Sequence, residues 1–199
     1  MNTPHIDYYF SVVSPWTYFG DARLHDIAQA TGATLGYHPC SSPELFPNTG
    51  GKMLKDRGPN RQNYRMVELK RWKTHLNLDL NPTPAHFPVP EAPGSKLVLA
   101  AKDAGHDPGP LVSALLKAVW VEDKDVSDPE TLTTITNTAG LNGEVLLAAS
   151  QDAKYDEAFT KSTQDAIDAG VFGYPTYVTD GVMFWGQDRL DFLERKLKG

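Results

Sequence analysis

A chain of 199 residues, 40% hydrophobic and 22% charged, has the proportions of an ordinary globular domain, and no apolar run in it approaches the about 20 residues that cross a bilayer. A net charge of −6 argues against general nucleic-acid binding. The single cysteine, Cys40, excludes a disulfide framework and dithiol exchange. With no basic or apolar leader after Met1, this points to a reducing cytoplasm.

In chain order, His5 to Phe10 is short, rich in Ile and Tyr, and reads as a strand. Ser14 suits an N-cap and Pro15 the first helical position, opening a helix through Leu24, Ile27 and Ala28 that stops near Gly32. Ala33 to His38 reads as a second strand, parallel to the first through a crossover. The middle is helical. Arg61 to Leu76 sets Met66, Leu69, Trp72 and Leu76 on one stripe, and a proline-rich loop covers 81–94. Ser95 to Ala104 forms a short helix. The next begins at Pro108, with Leu111, Ala114, Leu115, Ala118 and Val119 at core-facing spacing. Ser127-Asp128-Pro129-Glu130 reads as a capping box, and helices continue over Leu141–Ala149 and Lys154–Ala169. Strands Thr176–Thr179 and Val182–Trp185, joined by Asp180-Gly181, form a hairpin. A helix from Asp188 to Leu197 ends the chain.

The order is βαβ, helical insertion, αββα, an α/β thioredoxin-like fold with a large all-helical insertion. Residues 1–45 and 160–199 make the thioredoxin-like part and 46–159 the insertion. In such a fold a reactive pair sits at the start of the first helix, and a cis proline precedes the late strand. Here Ser14-Pro15-Trp16-Thr17 occupies the first place and Tyr174-Pro175 the second. The thiol must then come from a bound molecule, and glutathione is the candidate. Ser14 is a helix cap by its type alone. Its helix N-terminus also favours an anion, and its hydroxyl can donate to a thiolate held there. A cis Tyr174-Pro175 bond would expose the Tyr174 main chain to an extended peptide. Trp185-Gly186-Gln187-Asp188, before the last helix, offers N–H groups to a carboxylate and Asp188 to an ammonium. Between Gly51 and Asn77, eight basic residues (Lys52, Lys55, Arg57, Arg61, Arg65, Lys70, Arg71, Lys73) stand against Asp56 and Glu68. This is a solvated helix face, an attractor for an anionic substrate, or both. Cys40 reads as a partly buried spectator, and the six histidines form no metal-ligand pattern.

These blocks carry a family resemblance: Tyr9-Phe10 with Ser14-Pro15, Thr49-Gly50-Gly51, Arg61 to Arg65 with Glu68 to Trp72, His86-Phe87-Pro88, and Gly170 to Thr176 with Phe184 to Leu190. Over nearly its whole length the chain resembles 2-hydroxychromene-2-carboxylate isomerases, relatives of the kappa-class glutathione transferases. The resemblance implies a glutathione-dependent isomerase and a homodimer. It implies that Ser14 contacts the sulfur, and that Tyr174, Pro175 and Trp185 to Asp188 bind the rest of glutathione. Lys52, Asn60 and Arg61 would meet a small aromatic carboxylate. Tyr174 departs from the smaller aliphatic residue usual there, which alters the expected pocket. A kappa-like transferase and a non-catalytic glutathione or aromatic-anion binding protein are the alternatives.

Overall fold

In a computed structural model, which describes residues 3–199, strand β1 (His5–Phe10) leads into α1 (Pro15–Thr31) and β2 (Thr34–Pro39). The helices α2 (Ser42–Asn48), α3 (Pro59–Leu76), α4 (Ala92–Asp103), α5 (Gly109–Trp120), α6 (Pro129–Thr138), α7 (Gly143–Ala149) and α8 (Ala153–Asp168) follow. The chain ends with β3 (Thr176–Thr179), β4 (Val182–Trp185), a 3₁₀ turn (Gln187–Arg189) and α9 (Leu190–Lys198). The sheet runs β2-β1-β3-β4. β1 is parallel to β2, and the other two pairings are antiparallel. This is the thioredoxin-like α/β architecture expected from the sequence, with the helical insertion between β2 and β3.

The period-two geometry of β1 divides the interior. Ile6, Tyr8 and Phe10 face a core that also takes in Leu24 of α1, Leu111 and Leu115 of α5, Tyr177 and Leu193. One continuous apolar interior therefore serves both the sheet and the insertion. Tyr9 points to the other face, where Cys40, Leu45, Ala166, Val171 and Tyr174 form a second core beneath α2 and α8. Asp21 of α1 is buried. It accepts a hydrogen bond from the Tyr8 hydroxyl at 3.4 Å and another from the Ser113 hydroxyl of α5. That joins α1 to the insertion by polar as well as apolar contact.

Several boundaries differ from the sequence expectation. α4 begins at Ala92, because Pro93 sits in its first turn, where a proline costs no hydrogen bond. The box at 127–130 is capped by Asp128, which accepts from Thr131 N–H at 2.8 Å. Ser127 instead donates its hydroxyl to Asp125 at 2.6 Å. The last helix starts two residues late, behind the 3₁₀ turn. α2 was not anticipated. Cys40 is fully buried rather than partly so, and burial pushes its thiol up, which leaves it inert.

Candidate functional site

The turn after β1 is built around Ser11 and Ser14. Ser14 has extended backbone angles, and its hydroxyl oxygen accepts from Thr17 N–H at 3.3 Å. Pro15 follows at the first helical position. The Ser14 N–H donates to Ser11 C=O at 3.1 Å, which closes the turn. Because the Ser14 hydroxyl acts only as an acceptor here, its own proton is free for a ligand.

The underside of this turn rests on Glu91, at the N-terminal end of α4. Glu91 is 8% exposed. It accepts hydrogen bonds from the Ser11 hydroxyl and from both the N–H and the hydroxyl of Ser42 at the start of α2. Burial raises the Glu91 pKa. The donors from Ser11 and Ser42 oppose that rise, and nearby Glu44 adds to it. Nothing in the sequence singled Glu91 out, since a lone acid beside a proline-rich loop carries no local signal.

The Tyr174–Pro175 peptide is cis. Tyr9 pairs with Thr176, and one further step along that register brings Pro175 opposite Phe10, at the mouth of the Ser11–Ser14 turn. Among the described residues, neither the N–H nor the C=O of Tyr174 makes a hydrogen bond. The Tyr174 ring, 7% exposed, is drawn into the second core and lies 5.7 Å from the Phe46 ring of α2. The large side chain thus fills the interior below the strand, and the main chain is left as the accessible part.

The third segment is tied to the second by a hydrogen bond from Gly186 N–H to Pro175 C=O at 2.8 Å. Gly186 has φ 101°, a conformation that side-chain-bearing residues rarely adopt, and a Cβ there would lie 2.5 Å from an Asp188 carboxylate oxygen. Trp185 is 51% exposed and edge-on to Phe172, with ring centroids 4.7 Å apart. Asp188 is exposed and pairs only with Arg189, at 3.0 Å. Gln187 is buried, and its side chain accepts from Arg23 at 3.2 Å, so its main chain is what it presents outward. Among the described residues, the N–H groups of Gln187 and Asp188 have no partner.

On the insertion side, Lys52, Asn60 and Arg61 are all exposed, around the N-terminus of α3. Arg57 and Arg65 are half-buried. Arg57 donates to Lys52 C=O at 3.0 Å. The described residues contain no cluster of His, Cys, Asp and Glu able to hold a metal and no helix long and apolar enough to cross a membrane.

A helix-capping serine, a cis proline with unpaired main chain and a glycine-hinged segment bonded to it define a thioredoxin-type site without redox cysteines. The chain belongs to the DsbA-like thioredoxin family, whose domain model matches residues 5–198. It is 29% identical over 98% of both chains to a 2-hydroxychromene-2-carboxylate isomerase of Sphingobium xenophagum. It is also 25% identical to glutathione S-transferase kappa 1 of Caenorhabditis elegans, over 96% of this chain and 89% of that one. A solved 2-hydroxychromene-2-carboxylate isomerase superposes with a TM-score of 0.81 at 24% identity, covering 98% of this chain and 94% of the other. The resemblance read from the sequence is therefore matched over the full length.

Proposed function

We propose that the protein is a glutathione-dependent isomerase that interconverts 2-hydroxychromene-2-carboxylate and trans-o-hydroxybenzylidenepyruvate. The observation that carries this reading is the joined site: the Ser14 hydroxyl at the start of α1, and the unpaired Tyr174 main chain bonded through Pro175 to Gly186. Its residues fit a zwitterionic thiol peptide. When bound, glutathione supplies a thiolate that adds reversibly to a conjugated carbon and so allows rotation about the former double bond.

The protein's own groups do the rest. Ser14 donates its hydroxyl proton to the sulfur and, with the N-terminus of α1, keeps it ionised. Tyr174 N–H and C=O hold the extended peptide as a neighbouring strand would, and the cis Pro175 sets that edge toward the α1 end. Gln187 and Asp188 N–H groups meet the γ-glutamyl carboxylate, while the Asp188 side chain pairs with its ammonium. Trp185 walls that end, and Gly186 supplies the bend that brings Asp188 round. Lys52, Asn60 and Arg61 draw the aromatic carboxylate toward the thiol. The setting is the cytoplasm, where glutathione is abundant, and the assembly is a homodimer.

The test is to mix the protein with 2-hydroxychromene-2-carboxylate, with and without glutathione, and follow the ultraviolet spectrum and free thiol together. The reading expects turnover only with glutathione, and no loss of thiol. Stoichiometric thiol loss identifies a transferase instead. Absence of both changes overturns the reading.

A further inference from the structure

Three arginines, Arg57, Arg61 and Arg65, lie at the start of α3, and among the described residues none is within ion-pairing distance of a carboxylate. Every other arginine except Arg195 has an acidic partner. Arg65 is the unusual member. It is half-buried, and its guanidinium stands 5.4 Å from the Phe87 ring centre and 5.9 Å from that of Trp120. The two rings are themselves 4.9 Å apart. Its one hydrogen-bond contact is a weak one, to the Met66 sulfur at 3.9 Å. A guanidinium carries five N–H donors. Taking such a charge out of water is costly unless oxygen ligands replace the water. Here the aromatic faces supply attraction but no acceptor. Burial, then the neighbouring Arg57 charge, lowers Arg65 to about 10.

The position is joined to the thiol site by a row of side chains. Arg57 lies over the Phe46 ring, 5.8 Å from its centre. Phe46 packs against Tyr174, whose cis bond to Pro175 lies at the mouth of the Ser14 turn. An apolar ring, Phe46, thus lies between the proposed thiol position and the arginines. We infer that Arg65, fixed by Phe87 and Trp120 and supported by Arg57, is the anchor for the carboxylate of an aryl 2-oxo acid, with Phe46 facing the aryl ring. This deepens the proposed function and rests on it for the location of the reacting sulfur. It moves the main contact away from the exposed Arg61. Arg65 presents a planar fork to a carboxylate, which takes it bidentately, whereas Lys52 and Arg61 contribute attraction from solvent.

The probe is benzoylformate, an unreactive aryl 2-oxo acid, titrated by calorimetry into the glutathione-free protein at low salt, with its neutral methyl ester as comparison. Arg65→Met is expected to weaken benzoylformate at least about 10-fold, as loss of a charge-assisted contact does. The ester should change little, and so should the affinity for glutathione. Lys70→Met removes an equal charge from an exposed position of α3 and should leave benzoylformate binding within about threefold, the effect of a screened surface charge. Arg65→Lys keeps the charge and the stem. It serves if the methionine variant does not fold, and is expected to weaken binding because it lacks the fork. Equal binding by wild type and Arg65 variants, or no binding by wild type at about 10 mM, overturns the assignment. Glutathione binding without benzoylformate binding removes the arginine site and leaves the thiol site standing. The reverse removes the thiol reading alone.

Discussion

Ser14→Ala separates two roles that the hydroxyl can play. As a cap it accepts from Thr17 N–H at 3.3 Å, beyond the usual range for such a bond. Its loss should therefore cost under about 1 kcal/mol, the typical value for a good cap, or a fall in Tm of no more than about 4 °C in a chain of this size. As a donor to a bound thiolate it makes a charge-assisted bond, worth about 1.5–3 kcal/mol. One pKa unit corresponds to 1.36 kcal/mol, so the bound thiol should titrate about one to two units higher in the variant. Below that pKa, kcat should fall about 10- to 100-fold with the thiolate fraction. The assay is the ultraviolet thiolate absorbance of bound glutathione across pH, paired with a thermal melt. A reduced Tm with an unchanged thiolate titration would show that Ser14 is a cap and nothing more, and would refute the proposed role.

Asp188→Ala should weaken glutathione about 10-fold, through loss of a charged contact, and leave stability nearly unchanged, because its one protein partner is the exposed Arg189. Calorimetry and a melt check both; full-strength glutathione binding by the variant would dismiss Asp188. Gly173→Ala would place a methyl 2.6 Å from the Trp185 indole nitrogen and must move that half-exposed ring. Glutathione affinity should fall with little loss of Tm, whereas unchanged affinity would take Trp185 out of the binding wall. Glu91 titrates above its ordinary value because of burial, within reach of Glu44, Cys40 and Tyr174. An acid whose pKa is raised by folding favours the fold most below its unfolded value, about 4.3, and loses that contribution as pH rises through the folded value. The stability advantage of wild type over Glu91→Gln should therefore shrink between about pH 4 and pH 7. Denaturant melts giving a flat or growing difference would contradict the assignment.

The parts legible in the sequence were those where a local rule and the tertiary structure agree. Ser14-Pro15 marks the start of α1 because cap and proline chemistry act within four residues, and Asp180-Gly181 marks the hairpin for the same reason. α5 was visible because it is buried along a regular stripe. α2 was not, since it has two prolines and one buried residue, Leu45, in seven, and so no periodicity to read. Counting charge located the basic stretch but could not sort it by face. Lys52, Asn60 and Arg61 are exposed, whereas Arg57 and Arg65 are half-buried, a distinction set by Phe46, Phe87 and Trp120 from other elements. Gln187 was grouped with the site by proximity in sequence, yet its side chain faces Arg23. Glu91 was invisible because its partners lie far away along the chain.

Those partners bear on how the molecule assembles. The Ser11–Glu91 bond spans 80 residues and the Ser42–Glu91 bonds 49. Closing loops of this length is among the slower demands on a folding chain. The turn that presents Ser14 is thus held from below by a residue delivered only when α4 has docked. Excising the helical segment would strip away that support along with half of the apolar interior. A minimal four-stranded version of this protein would keep the strand order but leave the Ser14 turn without its buried carboxylate. Redesign of the family for new substrates therefore has more freedom on the exposed face of α3 than at the junction where α2, α4 and the β1–α1 turn meet.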